Sequence, residues 1–383
     1  MATKPIKEER YTFETEWYDP QADITRYYRL FFFPGDSSIE MYDKKMSRVF
    51  LKRVECPLVK LQDLYIGAKV TILSRIIYIA DYGDVATSNK QTIEREHTFA
   101  MIKPDCYQNI GKIVDAVQAE GFEICKMRMS RFTNESAEVF YGEHVGKPFF
   151  PNLQEFMTSD VVVGMELIAD NAISKWRQFI GPTNTEKARQ EAPNSLRAMF
   201  GTDGTKNACH GSDSPLSARR EIDFFFGGDN ASRAMQTTAV LNNCTLCIIK
   251  PHIIRNKQAG QVIDMILKAG FEISAAEMFN LSRPMIEEFY DVYKGVLPEY
   301  LPLIEHLSNG PTIILEVRQE NAVLSFRDFI GPYDPEVAKY LKPESLRSKF
   351  GSDRVKNAAH CTDLEEDGKL ECQYFFETLM TQQ

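Results

Sequence analysis

Thr98-Phe-Ala-Met-Ile-Lys103-Pro104 recurs as Thr245-Leu-Cys-Ile-Ile-Lys250-Pro251, and this repetition decides how the chain is organised. Each copy reads as a short buried strand ended by Lys-Pro, because proline removes a backbone donor and cannot continue a central strand. Working outward, Gly121-Phe-Glu-Ile124 is echoed by Gly270-Phe-Glu-Ile273, and Arg177-Gln-Phe-Ile-Gly-Pro182 by Arg327-Asp-Phe-Ile-Gly-Pro332. Ser195-Leu-Arg197 is echoed by Ser345-Leu-Arg347, and Asn207-Ala-Cys-His210 by Asn357-Ala-Ala-His360. The order is kept at a period of about 150 residues, the length of a whole domain rather than of a solenoid unit. Apolar runs at 99–102 and 161–165 alternate with helical patterns such as 111–121, an α/β or α+β arrangement.

Residues 1–90 differ, with aromatic, β-rich stretches at 26–33, 39–42, 49–54 and 70–79 separated by turn signals such as Pro34-Gly35-Asp36. They read as a small all-β domain whose expected core includes Trp17, Tyr18 and Phe31 to Phe33. The expected order is a β domain over 1–90, the first repeat over 97–226, a linker over 227–243 and the second repeat over 244–376. With 45 basic against 54 acidic residues and a net charge of −9, nucleic acid is not expected as a partner. Lys44, Lys45, Arg48, Lys52, Arg53 and Lys60 form a local basic cluster. No apolar run approaches the roughly 20 residues of a membrane span, and an apolar leader is lacking, so a cytoplasmic protein without a membrane partner is expected. Cys244-x-x-Cys247 lies on a predicted strand without a second ligand pair and reads as structural.

No Gly-x-x-x-x-Gly-Lys-Ser/Thr loop occurs, so phosphate chemistry would need another apparatus. Each repeat offers a Lys after a strand, two Arg and an Asn-x-x-His. A largely neutral imidazole is a nucleophile suited to a terminal phosphate, provided that its tautomer is fixed. A carboxylate on the far ring nitrogen would fix it, and Glu221, on the helix predicted after Ser214, is the candidate. Arg177, Arg197 and Lys103 suit the charge of a transferred phosphoryl group, and Asn207 adds a neutral donor.

Lys103-Pro-Asp105, Pro148-Phe149-Phe150, Arg177 with Gly181-Pro-Thr183, Arg197 and Asn207-Ala-Cys-His210-Gly-Ser-Asp213 together resemble the nucleoside diphosphate kinase family. The resemblance covers about 97–226 and again about 244–376. It implies an α+β fold of two tandem ferredoxin-like β-α-β-β-α-β domains. It also implies ping-pong transfer of the γ-phosphate of nucleoside triphosphates to diphosphates through a phosphohistidine. Mg²⁺ would bridge the nucleotide phosphates, with no protein side chain as ligand. By position, His210 is the implied nucleophile, Glu221 its orienter and Ser212 a support. Lys103, Tyr141, Arg177, Thr183, Arg197 and Asn207 would hold phosphates and ribose, and Phe149 would stack on the base. Stacking alone accepts every base, since each has a π-face.

The leading segment, from Glu16-Trp-Tyr-Asp-Pro20 through Phe50-Leu-Lys-Arg53 to Gly67 and Asp81-Tyr-Gly-Asp84, resembles the DM-ten domain. That likeness implies a pleckstrin-homology-like β fold, contact with tubulin of axonemal doublet microtubules, and the γ-tubulin ring complex as a further partner. The implied location is the cytoskeleton: the cilium axoneme, and the centrosome or spindle.

The second repeat retains Lys250, Tyr290, Arg327, Arg347, Asn357, His360 and Glu371. Tyr333 replaces Thr183, Pro298-Glu299-Tyr300 replaces the Phe149 segment, and Cys361-Thr362 adds bulk after His360. The first repeat is therefore expected to be the working kinase, and the second an inactive copy that binds nucleotide weakly or serves as scaffold. A reading of another class stands beside it: a structural microtubule inner protein that keeps kinase folds as building blocks.

Overall fold

The computed structural model describes residues 9–20, 22–65, 68–84, 86–87, 96–227 and 237–380. Gly67, residues 88–95 and linker residues 228–236 lie outside the described residues. The chain divides into two compact units, Met1–Arg95 and Glu96–Gln383.

The first unit is a six-stranded antiparallel sheet in the order β4-β3-β2-β1-β6-β5. Its strands are β1 (Tyr11–Asp19), β2 (Ile24–Phe33), β3 (Ser38–Asp43), β4 (Arg48–Glu55), β5 (Lys69–Ile72) and β6 (Arg75–Tyr82). Alternation along β2 sends Tyr28, Leu30 and Phe32 into a core shared with Phe13, Ile39, Met41, Ile77 and Ile79. The 70–79 stretch, expected as one run, is a hairpin. Leu73 and Ser74 take left-handed φ of 45° and 66°, the two-residue turn that matches strand twist, built without the usual Gly or Asn. Tyr18 corrects the expected core, being 56% exposed with its hydroxyl on Asp23. Phe31 and Phe33 lie half-buried beneath the guanidinium groups of Arg10 and Arg53. The basic cluster is partly neutralised: Lys44 pairs with Glu14 at 2.7 Å and Arg53 with Asp36 at 2.8 Å.

The second unit holds both repeats on one eight-stranded antiparallel sheet, in the order β10-β7-β9-β8-β12-β13-β11-β14. The first repeat supplies β7 (Glu96–Ile102), α1 (Ile110–Ala119), β8 (Glu123–Arg131), α2 (Asn134–Phe140), α3 (Phe150–Thr158) and β9 (Val161–Ala169). It continues through α4 (Ala172–Ile180), α5 (Thr185–Glu191), α6 (Leu196–Phe200), β10 (Cys209–Gly211) and α7 (Pro215–Phe226). The second repeat follows the same plan: β11 (Cys244–Ile249), α8 (Pro251–Arg255), α9 (Ala259–Lys268), β12 (Glu272–Phe279), α10 (Arg283–Phe289), α11 (Tyr300–Ser308) and β13 (Thr312–Arg318). It closes with α12 (Ala322–Ile330), α13 (Pro335–Leu341), α14 (Leu346–Phe350), β14 (Ala359–Cys361) and α15 (Asp367–Gln373), which runs on as a π-helix over Tyr374–Leu379. Each half has the ferredoxin-like strand order, and one hydrophobic core runs through both. No helix among the described residues is long and apolar enough to cross a membrane.

The halves meet where β8 pairs with β12, with Arg128 opposite Glu277, and where α1 crosses α9. That crossing is closed to side chains. A Cβ on Gly111 would lie 2.2 Å from the backbone nitrogen of Asp264, and one on Gly260 2.1 Å from that of Asp115. The Tyr107 hydroxyl donates to the Ile273 carbonyl at 2.9 Å and accepts from the Ile273 N–H at 2.8 Å. Since only backbone can yield at the crossing, Gly111→Ala and Gly260→Ala are each expected to destabilise the chain by about 1–3 kcal/mol in denaturant unfolding.

Candidate active site

His210 lies on β10, which pairs antiparallel with β7 and sets His210 across from Met101. The preceding Ala208 takes a left-handed φ of 67°, a strained position for a residue with a Cβ. It is held on both sides: the Lys103 N–H donates to its carbonyl at 2.8 Å, and its own N–H donates to the Asp105 carboxylate at 3.0 Å. The next residue must be small, because a Cβ on Gly211 would lie 2.4 Å from the Trp176 ring, whose N–H donates to the His210 carbonyl.

Glu221 projects from α7 and takes the imidazole Nε2 at 3.0 Å and the Ser212 hydroxyl at 2.7 Å on the same oxygen. A carboxylate only accepts, so the ring proton is drawn to Nε2 and the lone pair is left on Nδ1. Phe140 and Tyr141 stand edge-on to the ring at 5.4 and 6.0 Å, and the His210 side chain remains 22% exposed.

Around it gather the cations read from the sequence. Lys103 is buried, with its ammonium on the Asn207 carboxamide oxygen at 2.7 Å and the Thr205 carbonyl at 3.1 Å. Burial, and then the nearby Arg197, pull its pKa down to about 8, against the opposing pull of Asp105. Arg197 donates to the carbonyls of Gly181 and Cys209 and more weakly to the Thr183 hydroxyl, while its Nε stays buried without a partner. Arg177 is exposed, and Phe149, at the start of α3, is 50% exposed, with the His144 ring edge-on at 5.5 Å and the Lys147 ammonium 5.9 Å from its ring. The Tyr141 hydroxyl is buried and unpartnered. The Asn207 amide nitrogen donates to the carbonyls of Thr183 and Gly204, and its oxygen accepts from Lys103, so it ties Lys103 to the loop. Asp105 carried no role in the sequence reading, although the contrast of Lys-Pro-Asp105 with Lys-Pro-His252 was the available signal.

The second repeat keeps the core of this arrangement and closes its approaches. His360 Nε2 lies 3.0 Å from Glu371, and the Thr362 hydroxyl donates to the same oxygen at 2.8 Å, as Ser212 does in the first repeat. The bulk expected from Cys361 is absorbed, because Phe326 stands where the first repeat has Trp176. Erosion lies elsewhere. Arg327 forms an ion pair with Asp363, and Arg354 bridges Glu299 and Asp334. The Tyr333 ring lies 5.5 Å from the buried Arg347 guanidinium, whose other bonds go to the carbonyls of Gly331 and Ala359. Tyr290 is buried, its hydroxyl unpartnered like that of Tyr141. Lys250 reaches only the Val355 carbonyl among described partners, the Asn357 oxygen is left unpartnered, and burial with Arg347 pulls Lys250 down to about 7. His252 replaces Asp105 and faces His306 at 3.0 Å, a pair that burial keeps neutral. The His360 side chain is 9% exposed.

A phosphate binds the charged form of Lys103, and that charge is lost as pH rises through about 8. Affinity of the first repeat for ADP is therefore expected to weaken above that pH, by up to about tenfold per pH unit, in calorimetric titrations. Lys103→Met should bind weakly and show a flatter profile.

The nucleoside diphosphate kinase family model matches residues 96–231 and again 243–380. The chain is 46% identical over 371 residues to nucleoside diphosphate kinase homolog 7 of Rattus norvegicus, covering 97% of this chain and 94% of that protein. The same identity and coverage hold for nucleoside diphosphate kinase homolog 7 of Mus musculus. One repeat's length is 50% identical over 135 residues to nucleoside diphosphate kinase of Aquifex aeolicus (strain VF5), covering 35% of this chain and 95% of that one. Two family matches in tandem, together with relatives aligned over nearly the whole length, make this chain a member of the nucleoside diphosphate kinase family.

Proposed function

We propose that the chain transfers the γ-phosphate of nucleoside triphosphates to nucleoside diphosphates through a phosphohistidine at His210. The observation that carries this reading is the Glu221 carboxylate on Nε2, which leaves Nδ1 as the nucleophilic nitrogen of an accessible ring. Nδ1 attacks the γ-phosphorus, the bond to the β–γ bridging oxygen breaks, and the diphosphate leaves with the electron pair. Glu221 balances the positive imidazole formed, and Lys103, Arg177 and Arg197 face the phosphoryl oxygens. Phe149 offers a stacking face without base-edge donors. A second diphosphate then takes the phosphoryl group by the reverse step. Lys103, Arg177 and Arg197 are cations that suit a nucleotide's phosphates, and in this reading Mg²⁺ would arrive on those phosphates. Mg²⁺ there would neutralise phosphate charge.

The second repeat is the inactive copy in this reading, supported by Arg327 and Arg354, whose charges already meet carboxylates of its own. Acid-labile label from γ-labelled ATP is expected on wild type and His360→Ala, absent from His210→Ala, and discharged by added diphosphates. Label that depends on His360 instead would reverse the assignment.

The N-terminal β unit is proposed to carry the chain to axonemal doublet microtubules and the γ-tubulin ring complex, and so to cilium and centrosome. Exposed Tyr18, Tyr27, Val49 and Phe50 beside the basic cluster support a contact role. Deleting residues 1–90 should abolish co-sedimentation with microtubules and leave nucleotide exchange unchanged. Co-sedimentation retained after the deletion would argue against the microtubule assignment. If no phosphohistidine forms on folded protein, the structural reading takes the whole chain.

A further inference from the structure

Glu277 of β12 is almost wholly buried, and both its oxygens take N–H groups of Arg128, at 2.8 and 3.1 Å from Nε and 2.8 Å from Nη2. The remaining nitrogen, Nη1, donates at 2.8 Å to the carbonyl of Phe225, in the last turn of α7. The Arg128 guanidinium also lies 5.8 Å from the Phe226 ring. Helix α7 carries Glu221 one turn earlier, and Glu221 holds the His210 ring. The Phe225 side chain is seated tightly, since a Cβ on Gly164 would lie 2.5 Å from its ring. One carboxylate of the second repeat is thus joined through one arginine to the helix that orients the first repeat's histidine.

The other half of the molecule is a built-in comparison. The matched Gly-Phe-Glu-Ile segments place Glu277 where the first repeat has Arg128, and the match of Glu371 to Glu221 places Phe375 where it has Phe225. A carboxylate cannot donate to the Phe375 carbonyl. There the helix leaves α geometry at Gln373 and continues as a π-helix over Tyr374–Leu379, whereas α7 is regular to Phe226, and a different anchor, the Tyr374 hydroxyl on the Met285 carbonyl and Glu288, accompanies the 3.0 Å contact of Glu371 with His360.

We infer that the second repeat serves the first through Glu277, a positioning residue that fixes Arg128 on the C-terminal turn of α7 and thereby holds Glu221 in register with His210. The inference rests on His210 as the phosphorylated residue. It gives the second repeat a task that needs no nucleotide.

The test uses the full chain. Glu277→Gln keeps the shape and removes the charge that aligns Arg128. Its single-turnover phosphorylation of His210 by ATP should fall by about tenfold or more, with ADP affinity within about twofold of wild type. The ¹⁵N shifts of the His210 ring should move from a fixed Nε2–H tautomer toward a mixture, while those of His360 stay in place. The paired exchange Arg128→Glu with Glu277→Arg separates this from ordinary interface stability. It restores an ion pair between the strands but leaves the Phe225 carbonyl without its donor, so the thermal midpoint should recover while phosphorylation stays slow. Wild-type phosphorylation and ring shifts in Glu277→Gln would overturn the inference, as would full recovery of rate in the exchanged pair. Should Glu277→Gln not fold, the exchanged pair decides alone. Absence of phosphohistidine in wild type would sink the kinase reading, and the His210 ring shifts would still judge the Glu277 link.

Discussion

Everything in the larger unit depends on two backbones coming into contact where α1 crosses α9. Helices normally stay about 8–10 Å apart because side chains stand between them. Here Gly111 and Gly260 bring main chain against main chain, and only then can β8 reach β12 to make one sheet of two. Each half alone would present an unpaired edge strand, the feature that invites pairing with other chains. Joined, the edges disappear into the middle of the sheet, and the two histidine strands, β10 and β14, are carried to its opposite ends.

On this common frame the two copies have spent their charges differently. In the first repeat Asp213 accepts from the Ser217 hydroxyl and feels the Arg177 charge without a direct ion pair to it. In the second the same arginine position is met by Asp363, and Arg354, which stands where the first copy has Gly204, ties Glu299 to Asp334. The imidazole, its carboxylate and a supporting hydroxyl survive in both. A duplicated site can therefore keep its reacting group intact while the charges around it are rearranged.

Much of this was legible in the sequence because repetition in fixed order is stronger than any single motif. The strands, both histidines and the partner Glu221 follow from the echoes and from the need for a fixed tautomer. The Leu73-Ser74 turn was not legible, since neither residue advertises a left-handed φ. Nor was the Arg354 bridge, because its residues sit between the repeated motifs and come together only in three dimensions. The exchange of Trp176 for Phe326, beside the position where Cys361 replaces Gly211, was hidden for a related reason, since the two positions lie 35 residues apart. The bonds of the Asn207 amide nitrogen to the carbonyls of Thr183 and Gly204 were not legible either, since both partners come close only in the folded loop.

The Arg128–Glu277 pair has a further consequence for how such an assembly can change. Two identical subunits related by a two-fold axis present the same side chain to itself at the axis, so an arginine there would meet an arginine. A single gene encoding both halves releases that restriction, because each side of the axis is written separately. Complementary charges can then occupy one position and its mirror. The halves become non-interchangeable partners, one supplying and one receiving, in an association that no dilution can reverse.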